Sequence, residues 1–360
     1  MGGNGRLGWG ILGTGKIARI FGRALAGSAR GRLVAVASRA ADRAEPLAAE
    51  LGAPRSYGAY DDLLADGEVD VVYVATPHPT HLEWGSKAAA AGKHVLCEKP
   101  LGVNRDEAER LVEAARRAGV FLMEAFAYRC HPQTAKLVAL LRGGAIGEVR
   151  LIEAAFGYDA GPAPGNYLLS RELAGGGILD VGCYTTSMAR LVAGVATGAA
   201  VAEPTAVGGA GLIGVDTGVD HYAAASLRFP GGIVASLTCG MQVNLGGVLR
   251  VYGSGGTIVV PSPWLPGLGG RPSRIRVEPR GAAPLEHVVE PAADLYAIEA
   301  DTVADFVDAA QAPAMPWRDS LGNMTTLDKW RKAIGLVYDM DAPGAPDGAG
   351  EGAGRAGREV

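Results

Sequence analysis

The sequence predicts two domains in tandem: a doubly wound α/β domain over residues 1–127 and an α+β domain with an open, mainly antiparallel sheet over residues 128–340. Three observations predict this. The first third alternates short, near-continuous apolar runs with amphipathic stretches, as parallel strands covered on both faces require. From about residue 146 the apolar runs are joined by Gly-containing turns, as in hairpins. A chain of 360 residues, 48% of them hydrophobic, can fill two cores of ordinary size.

The strands of the first domain are read in order from "LGWGIL" (7–12), "RLVAVAS" (32–38), "VDVVYVAT" (69–76), "HVLCE" (94–98) and "VFLMEA" (120–125). Helices fill the intervals. The clearest is 104–119, with Asn104 as N-cap, Glu107 three residues on, and Gly119 as C-terminal cap. In the second domain "GEVRLIEAAFGYD" (147–159) predicts a longer strand. "HYAAASLRFPGGIVASLTCGM" (221–241) and "LRVYGSGGTIVV" (249–260) predict hairpins around Pro-Gly-Gly and Ser-Gly-Gly, and "SRIRVEP" and "LEHVVEP" continue the sheet. The Gly-rich connection 161–177 leads into "ILDVGCYTTSMARLVAG" (178–194), which has helical spacing. Two helices, near 295–310 and 319–338, close the ordered chain. Residues 341–360 are rich in Gly, Ala and Pro, lack apolar periodicity, and are expected to be a disordered tail.

Composition excludes several classes. The net charge is −4 with no basic stretch, so nothing attracts a nucleic acid. No apolar run reaches membrane-spanning length, and "MGGNGR" lacks the apolar core of a secretion signal. Cys97, Cys130, Cys183 and Cys239 are scattered, with no C-x-x-C pair. They are read as reduced thiols of a cytoplasmic protein and not as zinc ligands.

"GWGILGTGKIA" (8–18) carries two phosphate-loop spacings. A nucleoside-triphosphate loop needs Ser or Thr after its Lys to hold magnesium, and here the residue is Ile17. The dinucleotide reading, G-x-G-x-x-A, fits a turn between strand and helix. Gly13 allows the turn, Thr14 lies within it, and Gly15 lets the backbone approach a pyrophosphate at the helix N-terminus. Ala18 is small enough for close packing, and Lys16 is free to point to solvent or to phosphate. At the end of the second strand, where an NAD-preferring fold places Asp or Glu, stand Ser38 and Arg39, with Arg43 following. A hydroxyl and guanidinium groups bind a 2′-phosphate, so the predicted cofactor is NADP(H).

Four stretches, "GILGTGKIA", "ATPHPTH" (75–81), "CEKPLGVN" (97–104) and "AGGGILDVGCY" (174–184), together resemble the glucose–fructose oxidoreductase / inositol dehydrogenase (Gfo/Idh/MocA) family. "VLCEKP" with "FLMEAFAYR" is most similar to the branch of dimeric dihydrodiol dehydrogenase and NADP-dependent D-xylose dehydrogenase. Ketosugar reductases resemble the "GGGILDVGCY" region. The resemblance implies a Rossmann domain, an active site between the domains, and a homodimer or homotetramer built through the C-terminal sheet. It places Lys99 beside nicotinamide and the reacting oxygen, with Lys99–Pro100 a candidate cis bond. Many members carry His in D-x-G-x-H. This sequence has Tyr184 after Asp180, which argues against a Lys–Asp–His arrangement.

Hydride transfer at a carbinol carbon needs a proton moved at its oxygen. Tyr184 is expected as acid/base with Lys99 as electrostatic partner, or the reverse. Asp180, four residues earlier, either binds substrate hydroxyls or favours the helix N-terminus. Glu98 either orients Lys99 or contacts the cofactor ribose. Thr76, Pro77, His78 and His81 are placed along the cofactor. The H-x-x-H pair His78/His81 has no third ligand nearby and is not read as a metal site. Arg129 and His131 either point into the cleft or fix the domain junction, with the structural role preferred. Asn166, Tyr167 and Arg171 are substrate candidates. The function expected is NADP(H)-dependent oxidation or reduction of a sugar, sugar derivative or vicinal diol. A biosynthetic ketosugar reductase and a non-catalytic dinucleotide sensor are the alternatives. Retention of both Lys99 and Tyr184 argues against the sensor.

Overall fold

A computed structural model describes residues 5–161 and 166–342. The expected tail, from 343 onward, lies outside the described residues. The first half alternates β1 (Leu7–Leu12), α1 (Lys16–Leu25), β2 (Gly31–Ala37), α2 (Ala41–Leu51), β3 (Arg55–Tyr57), α3 (Tyr60–Leu64), β4 (Val71–Val74), α4 (His81–Ala90), β5 (His94–Cys97), α5 (Arg105–Ala118) and β6 (Leu122–Glu124). The six strands form one sheet in the order β3-β2-β1-β4-β5-β6, and every pairing is parallel. The order reverses beside β1, so the carboxyl ends of β1 and β4 flank the crevice where such sheets bind ligands. All four residues of β4 are fully buried, as a strand covered on both faces demands. The short β3 has no continuous apolar run and was not predicted.

The caps of α5 follow the sequence closely. Asn104 Oδ1 accepts the Glu107 N–H at 3.0 Å, and Gly119 closes the helix with φ +66°. Glu107 reaches one residue further back than a capping box requires: its Oε2 accepts the Val103 N–H at 2.8 Å.

The second half contains α6 (Ala127–Cys130), α7 (Pro132–Arg142), β7 (Val149–Asp159), α8 (Cys183–Ala196), β8 (Ala206–Ile213), β9 (Asp220–Arg228), β10 (Val234–Gly240), β11 (Gln242–Gly253), β12 (Gly256–Val260), β13 (Ser273–Pro279), β14 (Leu285–Val289), α9 (Leu295–Phe306) and α10 (Trp317–Ala333). Its eight strands run in the order β14-β13-β12-β11-β7-β10-β9-β8. The sheet is antiparallel except at its centre, where β7 and β10 pair in parallel. That pairing is possible because the chain between them crosses through α8, β8 and β9. Burial alternates along β9, and α8 and α10 pack on one face. β8, "AVGGAGLI", escaped prediction because three glycines and an alanine hide its strand pattern. The closing helices return to the first domain, with α9 on α1 and α10 on α5.

Candidate active site

A cleft of 430 Å³ runs between the two sheets. Its first wall is the turn between β1 and α1. Gly13 has φ +109°, and a Cβ there would lie 2.5 Å from the Ala75 carbonyl oxygen, so only glycine fits. At Gly15, the N-cap of α1, a Cβ would meet nothing within 4 Å. The backbone therefore faces open space, with the free N–H groups of the helix start behind it. Thr14, Lys16 and Ile17 line the same end, as do Ser38, Arg39 and Arg43. Ser38 is buried while both arginines are exposed. Among the described residues lining the cleft, the only carboxylates are Glu98 and Asp180, both near Lys99. Tyr60 also lines the arginine end, packed edge-on against Trp84 at 4.7 Å. No motif in the sequence pointed to it.

The other end is built by the β5 exit and the start of α8. The Lys99–Pro100 peptide bond is cis. The Lys99 ammonium donates to the Asp180 backbone oxygen at 2.7 Å and to Asp180 Oδ1 at 3.2 Å. The Asp180 carbonyl, which also accepts from the Cys183 thiol at 3.4 Å, lies in the π-type turn Ile178–Gly182 ahead of α8. Tyr158 Oη donates to Asp180 Oδ2 at 2.5 Å, so both carboxylate oxygens are engaged. Asp180 thus neither caps the helix nor faces free into the cleft; it pairs with Lys99. Burial opposes its charge, but the ammonium and the Tyr158 hydroxyl hold its carboxyl below the usual range. Burial works most strongly against the Lys99 charge, but Asp180, Tyr184, Cys183 and Glu98 together outweigh it, keeping the lysine well above its ordinary value.

Tyr184 lies beside this pair. Lys99 Nζ sits 5.1 Å from the Tyr184 ring centroid, and the ring is packed by Phe126, Tyr128, Phe156 and Trp264. Burial raises the Tyr184 hydroxyl well above its usual value, with Lys99 opposing. The phenol is therefore neutral and protonated at neutral pH. A lysine has three donors, and Asp180 engages two, which leaves one for a substrate oxygen.

Glu98 lines the cleft, accepts from the Tyr73 hydroxyl, and accepts the Lys99 backbone N–H at 3.2 Å. Thr76, Pro77, His78 and Tyr167 line it as well. His78 Nδ1 contacts the Ala174 carbonyl at 3.2 Å, and burial first, then His81 and Lys99, lower it to about 3. Three candidates stand elsewhere. His81 is fully buried behind the 76–80 turn, its ring nitrogens 2.8 Å from the Pro100 and Thr76 carbonyl oxygens. Asn166 uses Oδ1 to cap the turn at Leu168. Arg171 is drawn to the Gly218 and Val337 carbonyls, because the chain reverses between Arg171 and the glycines. Arg129 and His131 do not line the cleft: Arg129 pairs with Asp319 at 2.6 Å, and His131 Nδ1 caps α7 at Gln133. Trp264, Leu265 and Tyr296 complete the walls. They lie far downstream in a loop and on α9, where nothing in the local sequence announces a site.

Comparison with known proteins agrees with this architecture. Residues 7–126 match the family model described as "Oxidoreductase family, NAD-binding Rossmann fold", and residues 134–259 match the GFO/IDH/MocA C-terminal domain. The chain is 35% identical over 338 residues to trans-1,2-dihydrobenzene-1,2-diol dehydrogenase of Mus musculus, covering 92% of this chain and 98% of the relative. The human protein of that name is 32% identical with the same coverage. A 3-ketoreductase from Actinomadura kijaniata, solved in complex with NADP and TDP-benzene, superposes with a TM-score of 0.80 at 30% identity, covering 91% of this chain and 98% of that one. An aldose-aldose oxidoreductase from Caulobacter crescentus superposes at 0.79 with 28% identity, covering 91% and 97%.

Proposed function

The chain belongs to the Gfo/Idh/MocA family of oxidoreductases, and from that premise we propose that it catalyses NADP(H)-dependent hydride transfer at a carbinol or carbonyl carbon of a sugar, sugar derivative or vicinal diol. One observation carries the reading: a single cleft has a glycine-turn helix start and two exposed arginines at one end, and the Lys99–Asp180 pair with Tyr184 at the other.

The cleft fits a 2′-phosphorylated dinucleotide. Open space beyond Gly15 admits a pyrophosphate, and Arg39 and Arg43 supply cations where a carboxylate would repel the extra phosphate. When bound, the cofactor supplies the hydride donor or acceptor at nicotinamide C4. In the reduction direction the Lys99 ammonium donates its third hydrogen bond to the substrate carbonyl and stabilises the developing alkoxide. Tyr184, neutral and partly buried, then delivers the proton to that oxygen. In oxidation the phenol first gives up its proton to solvent, the phenolate that Lys99 stabilises takes the proton of the substrate hydroxyl, and the hydride leaves from the carbinol carbon. Asp180 keeps Lys99 charged and aimed, and Glu98 holds the Lys99 backbone. The aromatic residues Trp264 and Tyr296 line the cleft and give it apolar walls suited to excluding water around a cyclic substrate.

The ketoreductase and the dihydrodiol dehydrogenases among the relatives support both a ketosugar and a diol as substrate class. A scan of ketosugars, aldoses and trans-diols, following NADPH absorbance in both directions, decides between them. Tight NADPH binding with no turnover of any member would overturn the enzyme reading in favour of a sensor. Arg39→Asp is expected to lower kcat/KM for NADPH about 100-fold, through loss of a charge-assisted contact and gain of a repulsion, while NADH is spared. An unchanged NADPH/NADH ratio removes Arg39 from the phosphate site. Self-association belongs to the open face of the second sheet, where Tyr222 and Val234 are exposed.

A further inference from the structure

The triple glycine at 175–177 has no part in the chemistry above; Gly175 makes room for the Leu168 carbonyl, and Asp220 accounts for the other two. Asp220 opens β9 and is fully buried. Its Oδ2 accepts the Ile178 N–H at 2.8 Å, at the start of the π-type turn. Gly176 has φ +111°, and a Cβ there would collide with Asp220 Oδ1. A Cβ on Gly177 would lie 3.3 Å from Oδ2 and 3.0 Å from Gly240 Cα. These two glycines therefore make room for a carboxylate.

That carboxylate has no ion-pair partner among the described residues. Arg331 acts on it from α10, but its guanidinium is spent on Asp328, Asp341 and the Val103 carbonyl. Asp220 Oδ1 makes no hydrogen bond. A buried, half-satisfied carboxylate costs stability, so its position needs a reason. The reason lies two and six residues beyond Ile178. A π-type turn is less favourable than an α-turn, yet this one holds the Asp180 carbonyl and carboxylate against Lys99 and leads directly into Tyr184.

We infer that Asp220 is a positioning residue of the active site: its carboxylate pins the first turn of the segment that carries Asp180 and Tyr184, and so sets where Lys99 and Tyr184 meet the substrate. The inference rests on the hydride-transfer reading above. The titratable and charged groups that face Asp220 are Arg331 from α10, Tyr338 from the C-terminal segment and Cys239 from β10. Burial raises the Asp220 carboxyl to about 7, against the pull of the backbone N–H groups and Arg331. Below that pH it is a neutral and weaker acceptor; above it the carboxylate grips the turn more strongly. Turnover therefore gains a limb that rises through about pH 7.

Asp220→Asn keeps shape and one acceptor but removes the titration. It is expected to bind NADPH within twofold of the native chain, to lower kcat about 10-fold, and to lose the near-neutral limb of the kcat–pH profile. Gly176→Ala, which crowds the intact carboxylate, is expected to lower kcat in the same way at unchanged NADPH affinity. Asp220→Asn with native kcat and a native pH profile overturns the inference, provided Tyr184→Phe measured alongside is inactive. A fully active Tyr184→Phe overturns the hydride-transfer reading, and this inference with it.

Discussion

Tyr184→Phe binds NADPH as tightly as the native chain and turns over about 10²–10⁴-fold more slowly, the usual contribution of a positioned acid. The substitution removes one oxygen and keeps the ring, so the packing with Phe126, Phe156 and Trp264 survives. The loss is expected to fall on kcat, because in the proposed reaction the phenol acts on the oxygen at which charge develops and not on the cofactor. A second expectation separates this role from a structural one. Burial holds the Tyr184 hydroxyl well above its ordinary value, so in the reduction direction the native enzyme keeps its proton donor across the neutral range and declines only in strong alkali. Stopped-flow single turnovers give the chemical step directly. A hydride-transfer rate in the Phe variant equal to the native rate removes Tyr184 from the proton path.

Lys99→Ala is expected to lose about 10²–10³-fold in turnover, the measured scale for deleting one donor to a developing oxyanion. It also destabilises the fold. Lys99 and Asp180 are both largely buried, with side chains 12% and 9% exposed, and removal of the lysine strands the carboxylate. Breaking one partner of a buried pair costs about 3–5 kcal/mol. The sign with pH follows from Asp180. In the native chain its carboxyl is depressed, so its pairing contributes above the unfolded value near ~4 and is lost as pH falls through the folded value. In the Ala variant only burial and the Tyr158 hydrogen bond act on it, its carboxyl moves up, and protonation relieves the stranded charge. The stability deficit of Lys99→Ala is therefore largest at neutral pH and shrinks towards pH 5. Adding Asp180→Asn to Lys99→Ala recovers much of the stability and none of the activity. Urea unfolding at both pH values checks this. A deficit that is the same at pH 7 and pH 5 shows that Asp180 does not carry the cost.

Much of the glycine-turn end of the cleft was legible because its determinants are local. A turn that requires Gly13 and Gly15 must show them in sequence, and the residues closing β2 lie a fixed distance downstream, so Ser38, Arg39 and Arg43 could be named without coordinates. The substrate end was legible only where a motif survived, at Lys99 and at Asp180 with Tyr184. The Asp180 alternatives both missed its observed partner. Helical spacing indicates which residues share a face but not what meets them, and Lys99 arrives from 81 residues away. His81, Asn166 and Arg171 were polar residues beside motif positions. Each was instead consumed by backbone groups left unpaired where the chain turns, a demand that spacing does not reveal.

The sequence by itself determined the succession of two sheets, the phosphate turn and the chemical types available for proton transfer. Each depends on local periodicity, on glycine geometry or on the functional group a side chain carries. The tertiary structure alone decided that Asp180 pairs with Lys99, that β7 and β10 run parallel at the sheet centre, that Trp264 and Tyr296 wall the cleft, and that a buried Asp220 lies against Gly176 and Gly177. These are contacts between segments far apart in the chain. Their partners are chosen by packing and by the need to satisfy buried polar groups, and only the closed fold specifies them.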